Sequence, residues 1–185
     1  AIELEPDDVQ ASWYYNWGTR EFKQLSECTT RQDKNEIGVN FANQFKKIEY
    51  VPMVWSSNSY SNTLSKVQTA KNNGYKTILG FNEPDFKVQA NMTVATAISC
   101  WPAFMNQGMR VGSPATGTWP TINTWFQNFM SQIDSNSSLD VDFITIHCYP
   151  ENYAGKDGAN WFLTNVVEAC WNKYHKPIWI TEFSP

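Results

Sequence analysis

No apolar run in the 185-residue sequence approaches the ~20 residues needed to cross a bilayer, so a helical membrane span is not expected. No basic run occurs and the net charge is −4, which argues against a phosphate backbone as partner. Neither a GxGxxG turn nor a P-loop is present, so nothing in the sequence is built to cradle a nucleotide phosphate. There are two histidines, His147 and His175, and four cysteines with no CxxC pair, which excludes the usual zinc and dithiol signatures. No metal and no organic cofactor is expected. Linkers, short repeats and low-complexity tracts are missing too, and 17% charged against 42% hydrophobic residues is a globular balance, so residues 1–185 read as a single domain. The first ten residues are acidic and polar, without the charged start and apolar middle of a signal peptide.

Aromatic side chains are abundant instead. Nine Trp, eight Tyr and eleven Phe make up 15% of the chain. Such rings fill cores, and they also stack on the apolar faces of sugars while offering a polar edge. Composition favours the core. Cys28, Cys100, Cys148 and Cys170 form an even, widely spaced set that suits two disulfides, with three pairings open. Two glycosylation acceptors, Asn91-Met92-Thr93 and Asn136-Ser137-Ser138, point with them to a secreted, extracellular or cell-wall protein.

Short apolar runs alternate with amphipathic stretches. The runs span residues 11–17, 49–55, 77–81, 110–114, 142–149 and 177–183, with a weaker candidate at 38–40. Each is brief, bounded by turn formers and rich in β-branched or aromatic residues, as buried parallel strands are. Helical spacing covers 61–73, 93–107, 121–133 and 160–174, and Pro102 interrupts the second of these. Strand–helix alternation predicts an α/β fold, and seven strand candidates favour a (β/α)8 TIM barrel. The seventh candidate ends two residues before Pro185, so the expectation is a barrel lacking its eighth βα unit, in a C-terminally truncated catalytic domain.

Polar residues gather where strands end, which is where barrels build their sites. The fourth predicted strand runs into Asn82-Glu83-Pro84-Asp85, the sixth into His147-Cys148-Tyr149, and the seventh into Glu182-Phe183. Carboxylates at the ends of such apolar segments are costly without a task. Two of them facing across a barrel mouth suit glycoside cleavage, in which one carboxyl donates a proton and the other attacks or activates water.

The ordered set Gly80-Phe81-Asn82-Glu83-Pro84-Asp85, His147-Cys148-Tyr149 and Trp179-Ile180-Thr181-Glu182-Phe183 resembles glycoside hydrolase family 128. Ser12 to Trp17, Val51 to Trp55 and Gly112 to Ala115 also match strands of that family, so the resemblance runs from about residue 11 to the end. It implies a (β/α)8 endo-β-1,3-glucanase of the retaining clan. Glu83 would be the acid/base and Glu182 the nucleophile. Asn82 would bind the sugar 2-hydroxyl, Tyr149 would hydrogen-bond Glu182, and His147 would line the same wall. Trp17, Trp55 and Trp119 are candidate stacking platforms, each with barrel packing as its rival role. Cys148 stands where an aromatic is expected, and the eighth strand's aromatic is missing. The implied partner is a β-glucan chain, bound by a monomer. Two alternatives stay open: hydrolysis of another β-linked glucan or a mannan, and glycan binding without turnover.

Overall fold

The computed structural model describes residues 12–20, 49–149 and 155–183. Six short strands fall in these stretches: β1 (Trp13–Tyr14), β2 (Glu49–Tyr50), β3 (Thr77–Ile78), β4 (Arg110–Val111), β5 (Ile144–Cys148) and β6 (Ile178–Phe183). Every pairing is parallel. β1 joins β2, β3 joins β4 and β5 joins β6, while single bridges Met53–Leu79 and Gly112–Phe143 link those pairs into the order 1-2-3-4-5-6. Each crossover between described neighbours from β2 onward carries a helix, as parallel pairing requires.

Six of the seven strand candidates overlap these strands. Trp13 pairs directly with Glu49 and Tyr14 with Tyr50, so the sheet has no position between them for the candidate at 38–40, which itself lies outside the described residues. That candidate rested on one apolar residue between Gly38 and Asn40, too little to specify a buried strand. Among the described strands, the two glutamates follow the third and the sixth. Among the described residues no backbone pairing joins β1 to β6, and the expected eight-stranded barrel is not closed.

Two layers of apolar packing hold the sheet. Inside its curve, Val51, Met53, Leu79 and Phe143 are buried with Trp13, Tyr15, Trp55 and Trp179 around them. Rings of the first and last strands meet there, Trp13 to Trp179 at 4.8 Å between centroids. Outside, the helices cover the other face with a larger core in which Phe81, Trp101, Phe126 and Phe129 are fully buried. Burying each such side chain contributes roughly 1.5–3 kcal/mol. The Trp101 indole is not left unpaired, since it donates to Asp140 O at 2.9 Å.

Local chemistry sets the helix limits. α1 (Tyr60–Asn72) starts at Ser59, whose hydroxyl accepts from Asn62 N, and stops before Gly74 at φ +85°. α2 (Val94–Cys100) is shorter than predicted, because a 3₁₀ turn over Trp101–Ala103 takes up Pro102, which has no N–H to donate. α3 (Thr124–Asp134) begins later than predicted, at the Asn123 cap. α4 (Gly155–Phe162) continues through a π turn (Leu163–Glu168) into α5 (Ala169–Tyr174), which ends at exposed His175 in the left-handed conformation. Cys100, Cys148 and Cys170 are buried free thiols. Any two-disulfide arrangement must join at least two of these three, so the predicted pair of bridges is not formed.

Candidate active site

The site forms at the C-terminal ends of the strands, beginning with Glu83. Its backbone N–H donates to Ala115 O at 2.6 Å, and the neighbouring Asn82 N–H donates to Trp55 O at 2.9 Å. The residues after β3 are thus wedged between the ends of β2 and β4. Glu83 itself adopts φ 41°, a left-handed conformation that costs a non-glycine residue about 1–3 kcal/mol. Asp85 secures the following loop, accepting from Gly117 N at 3.0 Å and from Asn123 Nδ2 at 2.8 Å.

Glu182 reaches the same place by a different device. Phe143, just before β5, faces the inner core; within β5, Ile144, Ile146 and Cys148 face the helices and His147 lies on the inner side. In β6, Ile178 packs outward and Trp179 inward, so strict alternation would turn Glu182 outward with Ile178. A register shift intervenes. Ile146 pairs with Ile180, yet His147 pairs with Glu182, leaving Thr181 as the extra residue of a β-bulge. The bulge returns Glu182 to the inner face beside His147.

His147 stands between the two carboxylates and is wholly buried, while their side chains are 9% (Glu83) and 16% (Glu182) exposed. Its Nδ1 is 2.9 Å from Glu83 Oε1 in a hydrogen bond. Its Nε2 is 3.5 Å from Glu182 Oε1, close enough for Coulombic attraction but outside a hydrogen bond. Three further donors reach Glu182: Tyr15 Oη and Trp17 Nε1 each at 2.8 Å from Oε1, and Tyr149 Oη at 2.5 Å from Oε2. Burial pushes the Glu182 carboxyl up, but the Tyr149 hydrogen bond, the His147 ring, Trp17 and Tyr15 together outweigh it and hold the group below its ordinary value. Burial, reinforced by the Glu182 charge, drives Tyr15 and Tyr149 well above the usual phenol range, so both stay protonated donors.

One donor atom each from Glu83, His147 and Glu182 lies within 4.8 Å of the others, the one such cluster among the described residues. A zinc ion needs its donors about 2.0–2.2 Å away. Here each imidazole nitrogen already faces a carboxylate, so an ion would have to break the Glu83–His147 bond, and the trio fits proton chemistry better than ligation.

A cleft of about 530 Å³ opens above the carboxylates, lined by Trp17, Trp55, Asn82, Glu83, Phe86, Gln89, Tyr149 and Glu182. That size suits a small ligand. Asn82 donates through Nδ2 to Gln89 Oε1 at 3.3 Å, and its buried Oδ1 has no hydrogen-bond partner among the described residues. Of the residues expected from sequence, Glu83, Glu182, Asn82, Tyr149, Trp17 and Trp55 line the cleft, and His147 lies directly behind it. Trp119 does not. It packs edge-on against Trp161 at 5.3 Å beside the outer core, which is the packing role its sequence left open. Sequence reasoning missed Tyr15, Phe86 and Gln89. Tyr15 shares the alternation of Trp13 and Trp17 and was legible from that spacing, whereas the loop holding Phe86 and Gln89 has no period to read.

Comparison with known proteins places this geometry. Residues 3–185 match the family model described as the glycosyl hydrolase catalytic core. Alkali-sensitive linkage protein 1 of Schizosaccharomyces pombe is 30% identical over 178 residues, 94% of this chain and 27% of that protein. A family 128, subgroup I endo-β-1,3-glucanase from Amycolatopsis mediterranei, solved with laminaripentaose, is similar at 32% identity and TM-score 0.70, covering 95% of this chain and 63% of that one. A subgroup III, curdlan-specific exo-β-1,3-glucanase from Blastomyces gilchristii, solved with glucose, is similar at 27% identity and TM-score 0.63, over 91% of this chain and 65% of that one. The chain thus spans about a quarter of the curated relative and under two thirds of either solved structure.

Proposed function

This chain belongs to the glycosyl hydrolase catalytic core family, and from that premise we propose that it is a retaining endo-β-1,3-glucanase with Glu83 as acid/base and Glu182 as nucleophile. The observation that carries the reading is the carboxylate pair, with one oxygen of each within 4.8 Å of the other. Retaining glycosidases set their carboxyl groups about 5–5.5 Å apart, and inverting ones about 6.5–9.5 Å to admit a water.

In the first step a Glu182 oxygen attacks the anomeric carbon while Glu83 protonates the departing glycosidic oxygen. The bond to the leaving sugar breaks and a glycosyl ester forms on Glu182. In the second step Glu83 removes a proton from water, which attacks the same carbon and frees Glu182. Two inversions restore the starting configuration. An ionised Glu182 is what the first step requires, and its donors favour that form. Asn82 Oδ1, buried and without a hydrogen-bond partner among the described residues, is an acceptor for the sugar 2-hydroxyl. Trp55 and Phe86 supply apolar cleft wall for a sugar face.

The β-1,3 linkage is supported by the solved relatives, which act on that linkage by endo or exo attack. An extracellular setting belongs to the same reading, and the acceptor residues of both glycosylation triplets, Asn91 and Asn136, are exposed.

The test is direct. Glu83→Gln and Glu182→Gln should each remain folded and lose at least ~10²–10⁴ in kcat on laminarin-type chains, and NMR of the first product formed should show the β-anomer. Near-normal turnover by either variant would end the assignment. Comparable cleavage of β-1,4-glucan would redirect the substrate to another β-linked glucan.

A further inference from the structure

We propose that Tyr15 and Trp17, at the end of β1, are positioning residues that clamp Glu182 Oε1 and leave Oε2 as the attacking oxygen. The proposal rests on Glu182 being the nucleophile and assigns work to two residues on the strand at the opposite end of the sheet.

Counting lone pairs gives the assignment. Each oxygen of a carboxylate offers two acceptor directions. Oε1 has both occupied, by Tyr15 Oη at 2.8 Å and Trp17 Nε1 at 2.8 Å, with the His147 ring at 3.5 Å beside it. Among the described residues Oε2 accepts from Tyr149 alone, at 2.5 Å. One lone pair of Oε2 therefore remains free to form the bond to carbon. The Tyr15 hydroxyl is also 3.0 Å from Thr181 O. It has a single hydrogen, and the shorter contact to a charged acceptor takes it.

The chain is built to hold this clamp. Trp17 adopts φ 58°, a conformation an aromatic residue rarely takes, and the turn around it is tied down. Asn16 Oδ1 accepts from Gly18 N at 3.0 Å and from the Tyr50 hydroxyl, which is also 2.7 Å from Gly18 O. The indole edge is thereby pointed at Glu182 while the ring, about half exposed, still lines the cleft. Tyr15 and Trp17 also brace one another, their ring centroids 5.2 Å apart. All three hydrogen-bond donors are neutral, so they fix the anion without cancelling its charge.

The groups facing Glu182 are Tyr15 and Trp17 from β1, Glu83 from the end of β3, and His147 and Tyr149 from β5 and its end. Of these, Tyr15 and Trp17 are donors that can be deleted without touching the pair of carboxylates or His147. Losing either raises the pH at which Glu182 ionises, so the acid limb of the rate profile moves upward.

The experiment measures kcat, KM and the pH profile of kcat/KM for Tyr15→Phe and Trp17→Phe on a soluble laminari-oligosaccharide. A charge-assisted hydrogen bond is worth roughly 10- to 100-fold. The expected result is a kcat loss of about that size for Tyr15→Phe, a KM change within about threefold, and an acid limb displaced to higher pH. Trp17→Phe should shift the acid limb in the same direction. An unmoved acid limb in both variants, with only KM raised, would overturn the proposal and leave the two rings as sugar platforms. Trapping the wild-type enzyme with a 2-deoxy-2-fluoro glucoside keeps the premise separate. Label on Glu182 with unmoved profiles sinks this inference alone, whereas label on another residue sinks the nucleophile assignment.

Discussion

Among single residues, His147 has the most tightly determined surroundings, being wholly buried between two carboxylates and bonded to one of them. Removing it leaves Glu83 without its side-chain partner in a place water does not reach freely, and an unsatisfied buried polar group costs about 1–3 kcal/mol, more when charged. His147→Ala should therefore lower unfolding stability by about 2–4 kcal/mol, cavity included, and reduce kcat at least about tenfold. His147→Asn can place an amide N–H near the position of Nδ1 and should recover part of both. Urea unfolding and turnover measured together check this, and equal damage in the two variants would mean that the Glu83 bond is not the cause. The sequence reading found His147, Glu83, Glu182, Asn82 and Tyr149 because polar groups stand out at the ends of apolar strands. It gave Tyr15 no role and Trp17 only stacking or packing, since one tyrosine in an aromatic-rich strand looks like packing until the strand facing it is known.

For whole elements, β6 shows why strand position alone did not settle which way a side chain points. The period of 2 is legible in a sequence, but a one-residue bulge reverses everything beyond it. Nothing in Ile178-Trp179-Ile180-Thr181-Glu182 announces that Thr181 is the extra residue. The inward position of Glu182 was expected from motif and place, and the strand pattern read literally contradicts it. Deleting Thr181 should remove the extra residue and leave Ile180 and Glu182 in plain alternation, so Glu182 stays opposite His147 on the inner face and activity should remain within about tenfold. Cooperative thermal unfolding should persist, because Trp179 and Ile178 keep their places. A loss of ~10³-fold or more, the scale of losing a nucleophile, would show that the bulge sets more than the face on which Glu182 lies. Helix starts were legible to within a residue where a side-chain cap marked them, as at Ser59 and Thr93, whereas the stop that Pro102 imposes came seven residues before the predicted end. The shortfalls arose where a side-chain cap lay inside the periodic stretch, as Asn123 does. Pairing between β1 and β2 is non-local, and no local pattern in the sequence could reveal that these two strands are direct neighbours.

At the scale of the molecule, the first and last described strands share no backbone pairing among the described residues, and the contacts between them there run through side chains. The contacts form two tiers. Low on the strands, Trp179 packs between Trp13 at 4.8 Å and Phe143 at 4.4 Å, with the Arg110 guanidinium 5.4 Å from the Phe143 ring and 5.9 Å from that of Trp179. High on the strands, Tyr15 and Trp17 reach Glu182. The lower tier has no chemistry of its own, yet it fixes how near β1 stands to β6 and hence the donor distances above it. Trp179→Ala should therefore do two things at once. Stability should fall by about 2–4 kcal/mol, somewhat under the usual cost for a fully buried tryptophan because this one is half-buried. Turnover should also fall about tenfold or more at a temperature where the variant is fully folded, since one or both donors to Glu182 retreat. Ile133→Ala in the outer core supplies the control: a stability loss of about 2–4 kcal/mol with kcat unchanged, because Ile133 packs among the helices away from the strand ends. Denaturant midpoints and kcat measured well below each midpoint separate the two effects. If Trp179→Ala loses stability but keeps full kcat, the tiers are independent and the site does not depend on how the sheet's two ends meet. If kcat falls only in Trp179→Ala, the inner aromatic packing is what holds the nucleophile's donors in place.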